Sequence, residues 1–291
     1  MNYDIEADWI TNLLCNYNCE YCFLRSDVEA QGVLALEPKQ YAEFFEKTGK
    51  TWMLHMSGGE PFIHDKAVDV MAEVTKKQFL SINTNGTQTV RINKFIDTVC
   101  ADRVEYIHIG LHSAERTKRN GWETLFKNMR KLKEYGHTVF ASLVMEPKVL
   151  DEFQVIYTTV FNSTGCLLLP KLLRDSSYPK GYTHRERELL RTYTDMLIDA
   201  HPEIVNEPFT INPIIERDYL QGFPDFRGHS CRAGKDFVKI DEHGLIWRCE
   251  MNERLGNIVT GELNLHPSAY NCNETYCPYY CLKYSSLTGK Q

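Results

Sequence analysis

Cysteine is the residue whose number and spacing promise chemistry in this chain. Ten occur in 291 residues, and they fall in groups. Cys15, Cys19 and Cys22 lie within eight residues of one another. Cys231, Cys249, Cys272, Cys277 and Cys281 crowd into the last fifth, and Cys100 and Cys166 stand alone between the groups. A disulfide framework would need an oxidising compartment. The N-terminus, MNYDIEADWITNLL, carries Asp4, Glu6 and Asp8 where a secretion signal would carry basic residues. Clustered cysteines in the cytoplasmic setting this implies are metal or redox ligands. The spacing Cys15-x3-Cys19-x2-Cys22 lets one short loop place three thiolates around an iron–sulfur cube. The fourth iron is then without a protein ligand and open to a small molecule. Zinc is the alternative, but it draws pairs of ligands from two knuckles, and no Cys or His follows at that spacing.

Charge and composition narrow the partners. Thirty-three basic against 39 acidic residues leave a net charge of −6, which argues against a nucleic-acid or anionic membrane surface as the target. With 43% hydrophobic and 25% charged residues the chain has the composition of a folded globular protein, so disorder is excluded. No apolar run approaches the ~18 residues a membrane span needs.

The elements that must position the cysteines follow from periodicity. Strand-like runs occur at 51–56, 79–84, 104–111, 138–145 and 166–170, each rich in β-branched or aromatic residues and ending on polar or turn residues. Helical spacing appears in Tyr41, Phe44 and Phe45, and in Ala67, Val70, Met71 and Val74. It recurs from Trp122 through Leu125, Phe126, Met129 and Leu132 to a stop at Gly136, and in Leu190, Tyr193 and Leu197. Such alternation implies a parallel sheet with helices outside, and, if the sheet curls, ligands at the C-terminal strand ends. Residues 203–230, with three prolines and two glycines, read as a connection. The expected organisation is therefore residues 1–225 as one α/β unit and 226–291 as a second. Cys100 and Cys166 fall in a helix-like and a strand-like segment and are expected to be buried packing residues.

On these residues the sequence resembles the radical S-adenosylmethionine (SAM) superfamily. The cysteine triad is intact, the aromatic Tyr21 precedes its last member, and the strand-like segment 8–14 leads into it. Ser57-Gly58-Gly59-Glu60-Pro61 follows a strand; by itself it reads as a tight turn whose glycines permit close backbone approach. Beside the triad it resembles the family's GGE motif, which implies that Ser57, Gly58, Gly59 and Glu60 receive the amino group of SAM. The resemblance also implies that Tyr21 lies against the adenine, and that Asn83 and Asn85 hold the ribose and carboxylate. The fold it implies is a partial (β/α)6 barrel, and the chemistry is reductive cleavage of SAM at a [4Fe-4S] cluster with an open iron. The resulting 5′-deoxyadenosyl radical takes a hydrogen from carbon, and a flavodoxin or ferredoxin-type protein supplies the electron. Strand alternation in IHIGLHS puts Ile107, Ile109 and Leu111 on one face and His108, Gly110 and His112 on the other. The polar set is expected to face the barrel interior, with His108 and His112 as substrate contacts or, alternatively, hydrogen-bonded core groups. Ser81, Asn83 and Asn85 share one side of their strand.

The second cysteine group is ordered too. Cys231, twelve residues, Gly244, four residues and Cys249 enclose a hairpin-like FVKID-EHG-LIWRC that would return Cys249 toward Cys231. This resembles the SPASM and twitch auxiliary-cluster domains, which implies an auxiliary [4Fe-4S] cluster on a small β-hairpin plus helix unit. Cys272, Cys277 and Cys281 complete a set of five thiols for four positions, with zinc as the alternative metal. The spare thiol is a candidate hydrogen donor, which would make an epimerase; a cluster that accepts an electron would make a dehydrogenase. The leading expectation is a radical SAM oxidoreductase or epimerase acting on a small polar, sugar or aminocyclitol-like substrate, because the first strand begins almost at once and leaves no room for a leader-binding domain. A maturase of a ribosomally made peptide is the alternative, and a non-catalytic Fe–S or zinc protein the alternative of another class.

Overall fold

The structure is a computed structural model and describes residues 1–22, 24, 34–174, 179–205, 212–222, 225–249, 253–275 and 277. Six strands, β1 (Ile5–Ile10), β2 (Trp52–Ser57), β3 (Phe79–Thr84), β4 (Val104–Gly110), β5 (Val139–Met145) and β6 (Leu168–Leu172), lie side by side in chain order, every pair parallel. Parallel neighbours require a crossover connection. It is supplied by α1 (Pro38–Lys47), α2 (Ala67–Val74), α3 (Thr89–Thr98), α4 (Ser113–Lys118) with α5 (Trp122–Glu134), and α6 (Phe153–Thr164). Two further helices, α7 (His184–Ala200) and α8 (Pro213–Tyr219), follow β6. Among the described residues the sheet ends at β6, while the outer edge of β1 pairs with the strand at Phe237–Ile240, so the described strands do not close into a full barrel. This is the expected α/β partial barrel. Among the described residues no helix is long and apolar enough to cross a membrane.

The two faces of the strands have different chemistry. Trp9, Leu54, Ile82, Ile109 and Leu143 pack outward with Phe45, Met71, Phe95 and Leu132 of the helices in one continuous core. The other face carries a polar ladder: His55 Nδ1 meets Ser81 Oγ at 2.6 Å and the Tyr106 hydroxyl at 3.4 Å, and His108 Nε2 meets Ser142 Oγ at 2.7 Å. Buried polar groups need such partners, so the interior face is organised by hydrogen bonds rather than by apolar packing.

Several elements depart from the periodicity. The first strand ends at Ile10, because Thr11 to Leu14 bond instead to the loop after β2. β6 runs through Pro170, which an edge strand tolerates because one side of its ladder is unpaired. The helix α6 is rich in β-branched and aromatic residues and was not apparent; Thr158 and Thr159 bond back to the carbonyls of Gln154 and Val155 within it. The expected connection 203–230 contains α8, capped by the Asn212 side chain on the amides of Ile214 and Ile215. Cys166 is buried as expected, but Cys100 is exposed: it sits in the turn between α3 and β4, not on a helix face.

The expected hairpin forms. Among β7 (Ser230–Cys231), β8 (Phe237–Ile240), β9 (Leu245–Trp247), β10 (Arg254–Asn257), β11 (Glu262–Leu263) and β12 (Tyr270–Asn271), β8 and β9 are its arms. Asp241 accepts at its turn from the amides of His243 and Leu245, and Gly244 takes φ +78°. β8 to β11 continue the barrel's own sheet beyond β1, whereas β7 pairs separately with β12. No helix occurs among the described residues of 226–277, where the unit was expected to pair a helix with the hairpin.

Candidate active site

The cysteine loop is laid over the end of β2. Thr11 donates to the Ser57 carbonyl (3.0 Å), the Gly59 amide to that of Asn12 (2.8 Å) and the Glu60 amide to that of Leu14 (2.7 Å). A Cβ on Gly58 or Gly59 would collide with the Asn12 or Leu14 carbonyl oxygen. The paired glycines therefore admit the chain's own backbone, which carries the three cysteines onto the barrel mouth. No described residue donates to the carbonyls of Gly58 and Gly59 themselves.

Glu60 is fully buried, and protein donors hold its carboxylate: the Phe62 amide (3.0 Å) and Thr84 hydroxyl (2.6 Å) on Oε1, and the Asn85 amide (2.6 Å) on Oε2. Burial pushes its pKa up, and these hydrogen bonds oppose the shift. It ties the loop after β2 to the loop after β3. Asn85 extends the tie: its Nδ2 donates to Asn16 Oδ1 (2.8 Å) and approaches Cys15 Sγ (4.0 Å), and its Oδ1 accepts from Thr87. Asn83, by contrast, is exposed on the interior side of β3.

Burial raises the Cys15 and Cys19 thiols, Cys19 to about 11, and the nearness of Cys22 to both adds to the shift. Below the triad, Tyr17 meets the His112 ring edge-on at 5.9 Å, with the guanidinium groups of Arg116 and Arg119 over its own ring at 5.4 and 5.5 Å. Arg116 is fully buried, with Nε on the Leu111 carbonyl and Nη2 on that of Asn85, while no described group accepts from Nη1. Sequence reasoning passed over Tyr17, Asn16 and Arg116; a buried arginine looks like a solvated one inside the run ERTKR.

The two candidate substrate histidines part company. His108 is buried, bonded to Ser142 and stacked on Phe140 with centroids 4.8 Å apart. His112 lies past the end of β4 in the left-handed region (φ 47°), so strand alternation no longer governs it. Its Nδ1 is 2.8 Å from the Tyr21 hydroxyl and 3.4 Å from Cys19 Sγ. Burial, with Arg116 and Lys171 nearby, lowers its pKa to about 4. Lys171 shares the interior face of β6, in register with Val144 of β5, and burial lowers its pKa.

At the other cysteine group, β7 sets Cys231 opposite Tyr270, and the Cys272 amide donates to the His229 carbonyl at 2.8 Å. Cys231, Cys272, Cys249 and Cys277 pack with Phe226, Ala233, Phe237 and Tyr270 in a small apolar cluster of their own. Cys281 lies outside the described residues. No disulfide links the nine described cysteines. Among the described residues no three His, Cys, Asp or Glu side chains converge on one ion position; the thiolates of a cube each take a different iron, so they need no common point. Both groups fit iron–sulfur ligation by donor type. At the first, thiols that raise one another's pKa are relieved by a cationic centre, and the buried Nη1 of Arg116 is a donor without a described acceptor.

Comparison with known proteins gives the family and the fold. The family model described as "Radical SAM superfamily" matches residues 9–159, half of the chain. The antilisterial bacteriocin subtilosin biosynthesis protein AlbA of Bacillus subtilis (strain 168) is 22% identical over 255 residues, 84% of this chain and 55% of AlbA. Streptococcus suis SuiB bound to S-adenosylmethionine aligns with a TM-score of 0.57 at 13% identity, over 87% of this chain and 63% of SuiB. SuiB bound to precursor peptide SuiA aligns equally well, with a TM-score of 0.57 at 14% identity over 87% of this chain and 62% of SuiB. anSMEcpe with bound AdoMet and Kp18Cys peptide gives 0.59 at 14%, over 87% and 77%. At these identities the structures share the fold, and the chain spans less than two thirds of AlbA and of SuiB.

Proposed function

Because the chain belongs to the radical SAM superfamily, we propose that it is a radical SAM maturase that epimerises or crosslinks a ribosomally made peptide. The observation that carries this reading is that AlbA is a bacteriocin biosynthesis protein and that SuiB and anSMEcpe are solved with peptides bound. The small polar substrate suggested by the sequence has no such support and gives way to it.

Cys15, Cys19 and Cys22 would hold the [4Fe-4S] cluster that binds SAM. When bound, cluster and SAM supply one-electron cleavage and hydrogen-atom abstraction from carbon. The chain's residues do the rest. The Gly58 and Gly59 carbonyls would accept from the amino group of SAM, Asn83 would hold its ribose, and Lys171 would offer a cation to a carboxylate entering the interior. The Glu60 and Asn85 struts keep the cysteine loop from shifting, and the apolar outer layer of the sheet keeps water from the site. Cys231, Cys249, Cys272 and Cys277, with Cys281, are the auxiliary cluster's candidate ligands. The reading also calls for a flavodoxin or ferredoxin-type reductant and a reducing, cytoplasmic compartment.

The test is anaerobic reconstitution, iron and sulfide analysis, and incubation with SAM and dithionite, alone and with precursor peptides or aminocyclitols. The expected products are 5′-deoxyadenosine and a peptide that has either lost two hydrogens or gained one solvent deuterium. A fully reconstituted chain that leaves SAM intact would refute an enzyme; turnover of the aminocyclitols and not of any peptide would restore the sugar reading.

A further inference from the structure

One thiol of the triad is treated differently from the other two. Cys19 Sγ is hydrogen-bonded to the Tyr21 hydroxyl, and His112 Nδ1 closes the triangle at 3.4 Å from the sulfur and 2.8 Å from that hydroxyl. Two features hold His112 there. Its backbone adopts φ 47° and ψ 54°, a region a bulky residue seldom enters, at the point where the chain turns from β4 into α4. Gly110, two residues earlier, supplies the space for the ring, because a Cβ there would collide with His112 Nε2. The ring lies 20° from parallel to that of Tyr21, and Tyr17 closes its edge. A glycine kept clear for an imidazole and a strained backbone are more than a filler side chain requires.

We propose that Tyr21 and His112 form a hydrogen-bonding cap on the Cys19 sulfur that raises the reduction potential of the SAM-binding cluster, and that His112 is a positioning residue of that cluster rather than a substrate contact. The inference rests on the reading that Cys15, Cys19 and Cys22 hold the cluster. A metal-bound thiolate only accepts hydrogen bonds. The Tyr21 O–H therefore donates to Sγ, and His112 donates from Nδ1, which selects the tautomer with its proton on that nitrogen. Donors to a ligand sulfur draw charge from it and favour the reduced, more negative state of the cluster. Cys15 takes its donors from the Tyr17 backbone amide at 3.4 Å and from Asn85 Nδ2 at 4.0 Å; among the described residues no such pair of ring side chains lies on Cys15 or Cys22.

The experiment is a potentiometric titration of the reconstituted full chain, without peptide, followed by EPR. Addition of SAM marks the signal of the cluster with the open iron and separates it from any auxiliary cluster. Tyr21→Phe removes one donor and keeps the ring. His112→Gly removes the other with a residue that adopts the left-handed backbone freely and has no side-chain donor. Both variants are expected to retain wild-type iron and to titrate at a more negative potential. The double variant is expected to shift by less than the two shifts summed, because the donors share one network. His112→Asn, which keeps an N–H donor where Nδ1 stood and tolerates the left-handed backbone, is expected to recover part of the shift. An unchanged potential in Tyr21→Phe and His112→Gly overturns the proposal. So does an unchanged potential in His112→Gly with a raised KM for the peptide, which makes His112 a substrate contact, and so does loss of iron in His112→Gly alone, which makes it a ligand. If the wild-type chain assembles no SAM-responsive cluster, the underlying functional reading fails instead.

Discussion

The two cysteine groups are supported in opposite ways. The first rides on a loop fixed by polar struts: three donors on Glu60, the Asn16–Asn85–Thr87 chain, and backbone bonds from Gly59 and Glu60 into residues 12–14. The second is held by a small apolar cluster and by β7 and β12, two residues each, with Arg248 stacked 3.3 Å above Tyr270 and tied through Glu253 to His266. A site framed by a full parallel sheet is built before its cofactor arrives, whereas one framed by so little buried surface leans on the metal for its order.

Substitution of cysteines tests that contrast most severely. Cys19→Ala should abolish SAM cleavage, a loss of at least about 10³-fold. Cys231→Ala or Cys272→Ala should remove roughly four irons per chain and stop peptide modification while 5′-deoxyadenosine still forms. Equal loss of cleavage in both groups would break the comparison. Removal of metal by chelation should come next. Hydrogen exchange in residues 226–275 is expected to accelerate roughly tenfold or more, with β1 to β4 holding their protection; uniform acceleration would show that the sheet depends on metal too.

Removing a strut has a more moderate effect. Glu60→Ala leaves the Phe62 and Asn85 amides and the Thr84 hydroxyl without their acceptor, and should cost about 3 kcal/mol of unfolding free energy, read from denaturant titration of the metal-free chain. Glu60→Gln should cost less than the alanine, since its carbonyl still accepts, but its NH2 meets the Asn85 amide donor to donor. Loss of under about 0.5 kcal/mol in both would mean the loop is held elsewhere.

The smallest effect separates the outer helix layer from either cluster. His137, two residues before β5, is buried against Phe95, and no described group bonds to its Nδ1. Burial lowers its pKa from 6.5 to about 4. The unfolded chain therefore binds the proton more readily, so stability present above pH 6.5 is lost as pH falls toward 4 and levels off below it. The loss is at most about 3 kcal/mol, and His137→Phe should flatten this part of the pH profile. An unaltered profile in that variant would assign the acid sensitivity to other groups.

Some residues announced their roles and others could not. Cys15, Cys19 and Cys22 were legible because their ligand geometry is set within eight residues, and the strands and four helices because burial on one face leaves a local period. The hairpin about Gly244 was legible for the same reason. α6 was missed because tertiary burial overrode its β-rich composition, and Cys100 was misplaced because a helix face and a turn look alike at one residue.

By itself the sequence determined which donors exist, how closely the first three are spaced, and that strands alternate with helices. Only the tertiary structure decided what those donors meet. Glu60 bonds across 24 residues to Thr84, and Cys19 meets His112 across 93. Cys231 faces Tyr270 through a ladder whose arms are far apart in the chain. Periodicity reports which side of an element is buried, and is silent about which distant side chain shares that burial. A histidine that strand alternation aimed at a substrate could thus be turned by one left-handed residue onto a cysteine sulfur.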